Sequence, residues 1–494
     1  MGAPASARQD EERRDGRVRG VEPALDPQEF AARPGQSACV LLDSGPLALL
    51  MRSLLADEAC RTIDVQTYLY DDDEAGIVLM DRLRAAAESG VKVRLLIDDN
   101  GLRTDECLPL LLDSLQNAEV RVFNPFRLRP RWTRPLQMPF EFRRLNHRMH
   151  NKLFVVDGHA TIVGGRNIGG HYFEADDASN FTDLDVLLLG PVARDAEECF
   201  ERYWNSDLAV PLPEALGKRN ARMARARIDR YVRAARFTRL QQLYRTQHRG
   251  LREMLERGEH ELHWATTRLV ADDPRKACAR RRRGAPQIMI DALNETWQQA
   301  REEVLAATAY FVPGRKGAGD LIRLRRRGVQ VRILTNSLAS TDVPTVHAGY
   351  TRYRRALLRA GVELYEYQRF GNRPLHHHGA SRCNALHAKT LVIDQRLAWI
   401  GSFNLDPRSS RLNTEMAVLL ESESLGRELA RRMERDLAPD RSWHVKMRRG
   451  RRELRWIGEK NGAPTQWRHE PDASLWWRAW VKLARQFPYI ERFL

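Results

Sequence analysis

Residues 150–167 read HNKLFVVDGHATIVGGRN, and residues 387–404 read HAKTLVIDQRLAWIGSFN. Both stretches carry a histidine, a lysine two residues later, an aspartate, glycine and a final asparagine at matching places. The histidines are 387 − 150 = 237 residues apart, and the glycine–valine pairs that begin at positions 90 and 328 are 328 − 90 = 238 apart. Separated landmarks that share one offset indicate two homologous halves rather than two chance motifs.

The order of secondary-structure elements also repeats between the two halves. Helix, strand, helix and strand are predicted for 46–61, 62–70, 76–90 and 91–99, and again for 288–303, 304–313, 319–328 and 329–336. Helices that alternate with short apolar strands predict an α/β fold. We therefore expect two homologous halves, each a mostly mixed sheet flanked by helices, related by a pseudo-two-fold axis.

Composition divides the chain into five segments. We expect a disordered charged tail over 1–35, a first half over 36–213, a basic helical linker over 214–285, a second half over 286–440, and a basic, Trp-rich C-terminal tail over 441–494. The linker contains the run RKACARRRRG. It fits a simple connection or clamp and an anion-facing surface equally well.

The chain has 494 residues, and its 81 Lys and Arg exceed its 65 Asp and Glu by 81 − 65 = 16. Such an excess favours an anionic partner, such as phospholipid head groups or nucleic acid, without choosing between them. The six cysteines form no CxxC pair, which favours reduced thiols over a disulfide framework. No apolar run approaches the roughly 18–20 residues of a spanning helix, so we expect any membrane contact to be peripheral.

Strand periodicity decides which motif residues share a face. In the first copy His150 and Lys152 project together, while Asp157 has the opposite parity. The second copy repeats this pattern with His387, Lys389 and Asp394. Parity therefore favours a structural role for the two aspartates. The glycines at 164–165 and at 401 allow a close approach that would bring Asn167 and Asn404 beside the histidines.

These residue types suit attack on a phosphodiester. Lysine and asparagine donate to the non-bridging oxygens, and a neutral histidine can attack phosphorus to give a phosphohistidine. The leaving alkoxide needs a proton from a second group at the opposite end of the in-line axis. Each motif has one histidine, so two motifs facing each other would supply nucleophile and acid in one site, without metal or cofactor.

Each imidazole also needs an acceptor on its second ring nitrogen. Asp183 and Glu415 lie at matching places downstream, 183 − 150 = 33 and 415 − 387 = 28 residues after the histidine of their own half. Asp185 shares the parity of Asp183 and competes with it. The two acids are therefore the candidates for orienting the histidines.

The paired HxKxxxxD motifs, followed by GGRN or GSFN, resemble those of the phospholipase D superfamily. The stretch RLNHRMHNKLFVVDGHATIVGGRNIGG, with FTDLDVLLLGPV after it, is similar to bacterial cardiolipin synthases, particularly the cardiolipin synthase C type. The resemblance covers about residues 40–494. It implies a membrane-peripheral phosphatidyltransferase that acts on phospholipid phosphodiesters.

The resemblance also implies residue roles. The histidines would be nucleophile and general acid, with His150 as the nucleophile by family habit only. The full set of implied site residues is His150, Lys152, Asp157, Asn167, Asp183, His387, Lys389, Asp394, Ser402, Asn404 and Glu415. Ser402 would add a hydroxyl donor, whereas Gly165 stands where many members have serine, so the first motif lacks that donor.

Implied partners are anionic phospholipid, phosphatidylglycerol above all, with phosphatidylethanolamine as a further candidate, at the cytoplasmic face of a bacterial membrane. Water as acceptor would make the protein a phospholipase D. A nuclease of the same superfamily and a non-enzymatic membrane scaffold are two competing hypotheses. The Trp-rich tail and the closer lipid-synthase resemblance disfavour nucleic acid, and two intact motifs disfavour a scaffold.

Three further segments each allow two interpretations. In the C-terminal segment Trp476, Trp480, Leu483 and Phe487 would line one helix face, which suits either an anionic bilayer interface or the protein core. His376–His378 suggest a mobile loop rather than a metal site. Tyr310 and Phe311, at a strand end, fit either a substrate wall or core packing.

Overall fold

The computed structural model describes residues 27–102, 107–127, 141–176, 179–216, 233, 240, 250–258, 260–278, 286–370, 383–448 and 453–487. Elements of the first half are α1 (Pro27–Ala31), β1 (Gln36–Leu42), α2 (Gly45–Glu58), β2 (Thr62–Thr67), α3 (Glu74–Glu88), β3 (Lys92–Asp98), α4 (Cys107–Asp113), β4 (Ala118–Phe123), β5 (Leu153–Val156), β6 (Ala160–Gly164), β7 (Ser179–Thr182), β8 (Asp185–Leu189), α5 (Val192–Trp204), β9 (Ala209–Pro211) and α6 (Leu212–Leu216).

The remaining elements are α7 (Leu251–Glu256), β10 (His263–Ala271), α8 (Ile288–Gln299), β11 (Glu303–Thr308), α9 (Gly314–Arg326), β12 (Gln330–Asn336), α10 (Pro344–Arg359), β13 (Glu363–Tyr367), β14 (Cys383–Leu386), β15 (Lys389–Ile393), β16 (Leu397–Gly401), α11 (Pro407–Arg411), β17 (Met416–Glu421), α12 (Glu423–Asp436), β18 (Ser442–Met447), β19 (Leu454–Lys460), β20 (Ala463–Trp467) and α13 (Leu475–Ala484). The repeated helix–strand order predicted from the sequence is confirmed.

Eighteen strands form one continuous mixed sheet. Its spatial order is β9-β4-β3-β2-β5-β6-β8-β1-β10-β17-β16-β15-β11-β12-β13-β18-β19-β20. The antiparallel pair β1–β10 lies at the centre of this order. Outward from it, the strands of the first half follow as β8-β6-β5-β2-β3-β4-β9, and those of the second half as β17-β16-β15-β11-β12-β13-β18. The matching order gives the predicted pseudo-two-fold relation between the halves.

Local sequence accounts for the parallel strands at the centre of each half. The side chain of Asp73 caps the N-terminus of α3, and Gly90, at φ +100°, provides the left-handed residue that lets the chain turn into β3. Gly328, at φ +90°, does the same between α9 and β12. The pairs β2–β3 and β11–β12 are parallel, as helical crossovers require.

Apolar side chains from both halves fill a shared core on one face of the sheet. This core contains Leu41 and Val186 of the first half beside Leu305 and Val418 of the second. Helices α5 and α12 cover it, and separate cores lie under the other helices of each half. The halves therefore hold each other in a fixed relation, as a site built from both requires.

Three segments differ from the sequence-based division. Part of the expected disordered tail is ordered, because α1 packs Phe30 against Trp264 with ring centroids 5.0 Å apart. The expected linker contains a central strand, β10, which is the second-half counterpart of β1. The expected C-terminal tail begins with β18, the counterpart of β9, and continues into β19, β20 and α13.

The Arg-rich run at 279–283 and the triple histidine at 376–378 lie outside the described residues. Phe311 is buried in the core, and the Tyr310 hydroxyl hydrogen-bonds to Asp342. Within the described ranges, no helix combines the length and the apolar character needed to cross a bilayer.

Candidate active site

The first motif meets the second half at the sheet's centre. His150 precedes β5, and its backbone N–H donates to the Thr414 carbonyl at 2.9 Å. Lys152 is buried, and its Nζ donates to the His150 carbonyl at 2.7 Å. Both residues lie just before β5, and the lysine side chain reaches back to the backbone of the histidine.

The second motif makes the equivalent contact in the opposite direction. The backbone N–H of His387 donates to the Thr182 carbonyl at 2.7 Å. Strand β14, just before His387, pairs in parallel with β7 of the first half. Lys389 is buried and donates to the carbonyl of His387. Each motif is therefore hydrogen-bonded to the residue that precedes the acid of the other half.

The two acids are exchanged between the halves. Nδ1 of His150 lies 2.8 Å from Oε2 of Glu415, and Nδ1 of His387 lies 2.6 Å from Oδ2 of Asp183. Each acid therefore lies beside the histidine of the other half, although in sequence it follows the histidine of its own half. The backbone bonds at Thr414 and Thr182 are the physical reason, since they bring each acid beside the motif of the partner half.

Asp185 does not compete for a histidine. It is fully buried and pairs with Arg52, at 2.9 Å from Nη2. Asp183 shares its parity but lies before the start of β8, where its side chain meets His387.

Burial and neighbouring charge set the protonation of the histidines. Burial lowers the pKa of His150 to about 4, with the positive charges of Lys152 and Lys389 acting in the same direction. Burial and the Lys389 charge lower the pKa of His387 to about 3. Both imidazoles are therefore neutral at pH 7, and each presents Nε2 because its Nδ1 faces a carboxylate.

The acids remain ionised despite their burial. Burial by itself raises the pKa of Glu415, but its hydrogen bonds to His150 and Ser402 and the charge of Lys152 lower it overall. The same balance holds the pKa of Asp183 below its ordinary value, through His387 and Lys389. Nδ1 of each imidazole thus lies within hydrogen-bonding distance of an ionised carboxylate, and Nδ1 of His387 also lies 2.8 Å from Nζ of Lys389.

The lysines of both halves belong to one electrostatic cluster. Burial lowers the pKa of Lys152 to about 7, and among its neighbours the charge of Lys389 acts in the same direction. Burial lowers the pKa of Lys389 to about 8, against the attraction of Asp183 and Glu415. Two buried cations that repel each other form a place for an anion.

The two asparagines keep amide atoms without a partner. Asn167 and Asn404 are buried, and Oδ1 of each has no hydrogen-bond partner among the described residues. Nδ2 of Asn167 donates to the Tyr172 hydroxyl at 2.8 Å, and the Tyr172 ring lies 5.1 Å from that of His387. Buried amides with unmet hydrogen-bonding capacity suit a polar ligand.

The Ser402 hydroxyl contacts the acid of its own half. Its hydroxyl donates to Oε2 of Glu415 at 2.5 Å and accepts from the backbone N–H of Met416 at 3.0 Å. Ser402 is fully buried, and its hydroxyl holds the carboxylate of Glu415. Its counterpart Gly165 has no room for a side chain, because an added Cβ would lie 2.2 Å from Oδ1 of Asp183.

Asp157 and Asp394, which the HxKxxxxD resemblance places among the site residues, hydrogen-bond to backbone N–H groups at the start of a neighbouring strand. Asp157 accepts from the backbone N–H groups of Cys60, Arg61 and Thr62 at 2.8–2.9 Å. Asp394 accepts from residues 301–303 in the same way. Each also has a positive φ in the turn after its strand, so both hold the start of the neighbouring strand, as parity favours.

Sequence reasoning missed four residues around the histidines. The Ser409 hydroxyl donates to the second oxygen of Glu415 at 2.8 Å. Rings of Tyr68, Tyr172 and Phe181 lie 5.1–5.2 Å from a histidine ring. Tyr68 lies near the end of the predicted strand 62–70, where side chains often reach a site at the sheet edge. No sequence pattern marks Ser409.

Comparison with known proteins places the chain in a family. Residues 54–204 and 293–437 match the family described as "Cardiolipin synthase, PLD-like domain". The chain is 41% identical over 469 residues to cardiolipin synthase C of Escherichia coli K12, covering 92% of this chain and 96% of that protein. It is 34% identical over 472 residues to an uncharacterized protein of Helicobacter pylori, covering 94% and 91% of the two chains.

Among solved structures, the phosphatidylserine synthase of Haemophilus influenzae Rd KW20 matches with a TM-score of 0.59 and 15% identity, covering 92% of this chain and 95% of that one. At this identity the likeness concerns the fold. The two-half architecture is thus shared with a solved structure over nearly the whole chain.

Proposed function

The chain belongs to the cardiolipin synthase family with phospholipase-D-like domains, and from that premise we propose that it is a phosphatidyltransferase acting on phospholipid phosphodiesters. The observation that carries the proposal is the exchange of acids between the halves. His150 with Glu415 and His387 with Asp183 form two equivalent imidazole–carboxylate pairs. They lie in one cluster with both motif lysines.

In the first step, Nε2 of one histidine attacks phosphorus. The new P–N bond gives a phosphohistidine, and the bond between phosphorus and the head-group oxygen breaks. The second histidine gives its proton to that oxygen, so the head group leaves as a neutral alcohol. The carboxylate on Nδ1 stabilises each imidazole as it becomes positively charged.

Both histidines are neutral in the free protein, so one must gain a proton in the complex. The bound phosphodiester adds negative charge beside an imidazole whose pKa is lowered to about 4 or about 3, by burial first and then by lysine charge. That added charge raises the imidazole pKa. Binding of the substrate thus prepares the general acid.

Lys152 and Lys389 hold the phosphate. Their buried ammonium groups neutralise the non-bridging oxygens, whose charge grows as phosphorus becomes five-coordinate. The Nδ2–H groups of Asn167 and Asn404 can donate to the phosphate oxygens, and the unpartnered Oδ1 of each can accept from a hydroxyl of the substrate. This arrangement provides the positive charge from the chain's own side chains.

In the second step, the hydroxyl of an acceptor lipid attacks the phosphohistidine. The acceptor proton passes to the second histidine, the P–N bond breaks, and the first histidine is regenerated. With phosphatidylglycerol as donor and acceptor the product is cardiolipin, and phosphatidylethanolamine is a second candidate donor. With water as acceptor the same step gives phosphatidic acid.

The protein would act as a peripheral protein on the cytoplasmic face of a bacterial membrane. Its net charge of +16 favours anionic lipid. The test is to incubate the purified protein with labelled phosphatidylglycerol, with and without phosphatidylethanolamine, and to identify products by mass. Cardiolipin supports the proposal, phosphatidic acid alone indicates a hydrolase, and cleavage of DNA without lipid turnover would replace the proposal by a nuclease.

A further inference from the structure

Helix α13 carries a row of exposed large apolar side chains. Leu475 is 79% exposed, Trp476 71%, Leu483 57%, and Phe487, just beyond the helix, 55%. Trp476, Leu483 and Phe487 follow one another at intervals of seven and four residues, which places them on one side of the helix, with Leu475 next to Trp476. Large apolar side chains exposed together on one side of a helix favour a binding surface.

The helix is fixed on the protein by its opposite side. Val481 and Ala484 are buried against Leu338 and Ala348 of the second half. At the end of the helix, the carbonyl of Arg485 accepts from Arg352 at 2.9 Å. The apolar row therefore faces outward because of how the helix docks.

The segment before the helix is also held. Arg354 of α10 donates to Glu470 at 2.7 Å and to Glu366 of β13 at 2.8 Å, both buried. Lys460 pairs with Asp472 two residues before the N-cap of α13. A buried ion-pair network of this kind fixes geometry rather than adding much stability.

Positive charge surrounds the apolar row. Lys482 and Arg485 are exposed on α13, and Arg352 and Arg355 lie on the adjoining helix α10. The pKa of Arg485 is lowered, by burial first and then by Arg355, Arg354 and Arg352. Cations that repel one another on a surface favour an anionic partner.

A short chain of contacts links this surface to His387. Leu338, which packs under α13, lies two residues after the end of β12 at Asn336. Nδ2 of Asn336 donates to the carbonyl of Leu386 at 2.7 Å, and Leu386 adjoins His387. The loop after β12 also carries Asp342, whose charge raises the pKa of Lys389 against the larger effect of burial.

We propose that α13 is an interfacial helix that inserts its exposed Trp, Leu and Phe side chains into an anionic bilayer and thereby holds the second-motif side of the active site at the lipid surface. The inference rests on the proposed lipid substrate. Tryptophan beside leucine and phenylalanine, with lysine and arginine alongside, suits the head-group region of a membrane. The adjacent arginines favour anionic head groups over a neutral surface.

The first experiment measures flotation of the full chain with vesicles of phosphatidylcholine alone or with phosphatidylglycerol. The wild type should float with the phosphatidylglycerol vesicles and weakly with phosphatidylcholine alone. The variant Trp476→Ser/Leu483→Ser should bind at least about tenfold more weakly, since it loses two large apolar side chains that insert into the bilayer. Lys482→Gln should weaken binding about fivefold, the equivalent of ~1 kcal/mol per basic residue.

Ile457→Ser is the matched control, because Ile457 is an exposed apolar side chain, 39% exposed, on β19 rather than on α13. It should bind vesicles as the wild type does. Wild-type flotation by the Trp476→Ser/Leu483→Ser variant would overturn the inference and leave the row as a protein-docking surface. Equal binding to both vesicle types would overturn the anionic preference.

The second experiment separates this inference from the proposed function. In detergent-dispersed phosphatidylglycerol the Trp476→Ser/Leu483→Ser variant should turn over substrate as the wild type does, which also shows that it folds. On vesicles its rate should fall at least about tenfold, in step with its binding. Equal rates on vesicles would contradict the inference. If neither the wild type nor the variant turns over lipid, the proposed function fails. The flotation experiment still decides whether α13 binds membranes.

Discussion

Nδ1 of His150 lies 2.8 Å from a carboxylate oxygen of Glu415, although the two residues are 265 positions apart. The equivalent pair, His387 and Asp183, spans 204 positions. Neither half can therefore assemble an oriented histidine alone. The duplication supplies two histidines and also the acid that each requires from the other half.

Crossed pairing predicts which double variants are non-additive. Glu415→Gln should lower kcat about 10²- to 10⁴-fold, and adding Glu415→Gln to His150→Ala should cost little more than His150→Ala alone. Adding Asp183→Asn to His150→Ala should lower turnover further. The comparison is between the residual rates of the single and the double variant, measured at high protein concentration. If the effects of His150→Ala and Asp183→Asn are non-additive instead, Asp183 orients His150 and the crossed pairing is contradicted.

The lowered pKa values predict a pH profile. Because burial, with neighbouring lysine charge, lowers the pKa of His150 to about 4 and that of His387 to about 3, the histidines of the free protein stay neutral down to those values. Because burial lowers the pKa of Lys152 to about 7 and that of Lys389 to about 8, phosphate-binding charge is lost as pH rises through this range. kcat/KM should therefore fall above about pH 7–8 and again below about pH 4.

The matched variant for this profile is Lys152→Arg, since arginine keeps its charge across the range. It should move the alkaline limb to higher pH even if the absolute rate is lower. An alkaline limb that stays in place in both Lys152→Arg and Lys389→Arg would show that another group titrates.

Asp157 should matter for stability and not for chemistry. Asp157→Asn keeps a residue that tolerates the positive φ of 54° but loses carboxylate hydrogen bonds to three backbone N–H groups. We expect a loss of about 1–2 kcal/mol, seen as a lower thermal midpoint, with kcat unchanged at 25 °C. Asp394→Asn should behave alike. A kcat loss comparable to that of His387→Ala would return these residues to the catalytic set.

Gly165 should not tolerate a side chain. Gly165→Ala places a Cβ where it would lie 2.2 Å from Oδ1 of Asp183, so that the carboxylate must move from His387. Turnover should fall about 10²-fold or more, as when an oriented catalytic contact is lost. The matched control, Ser402→Ala, removes only one hydrogen bond to Glu415 and should cost about tenfold. Full activity of Gly165→Ala would contradict this placement.

Much of the architecture followed from pattern. The repeat offset predicted two halves, the helix–strand order predicted the α/β fold, and strand parity predicted that His150 and Lys152 share a face. Parity also favoured a structural role for Asp157 and Asp394. These inferences depend on local periodicity, which a single sequence displays.

The exchange of Asp183 and Glu415 could not be predicted in this way. Parity tells which face of its own strand a side chain occupies, but not which half it meets across a long-range interface. Strand β10 was missed because its sequence lies between basic segments that read as a linker. The orientation of α13 was open because the same apolar row suits a core or a membrane, and only the docking of Val481 and Ala484 distinguishes them.

The most direct test of one shared active site is the turnover of labelled phosphatidylglycerol by His150→Ala and His387→Ala, each measured alone beside the wild type. If the halves form one site, each single variant loses essentially all turnover, and mixing the two variants restores none. About half of the wild-type rate in either variant would show two independent sites and would contradict the account.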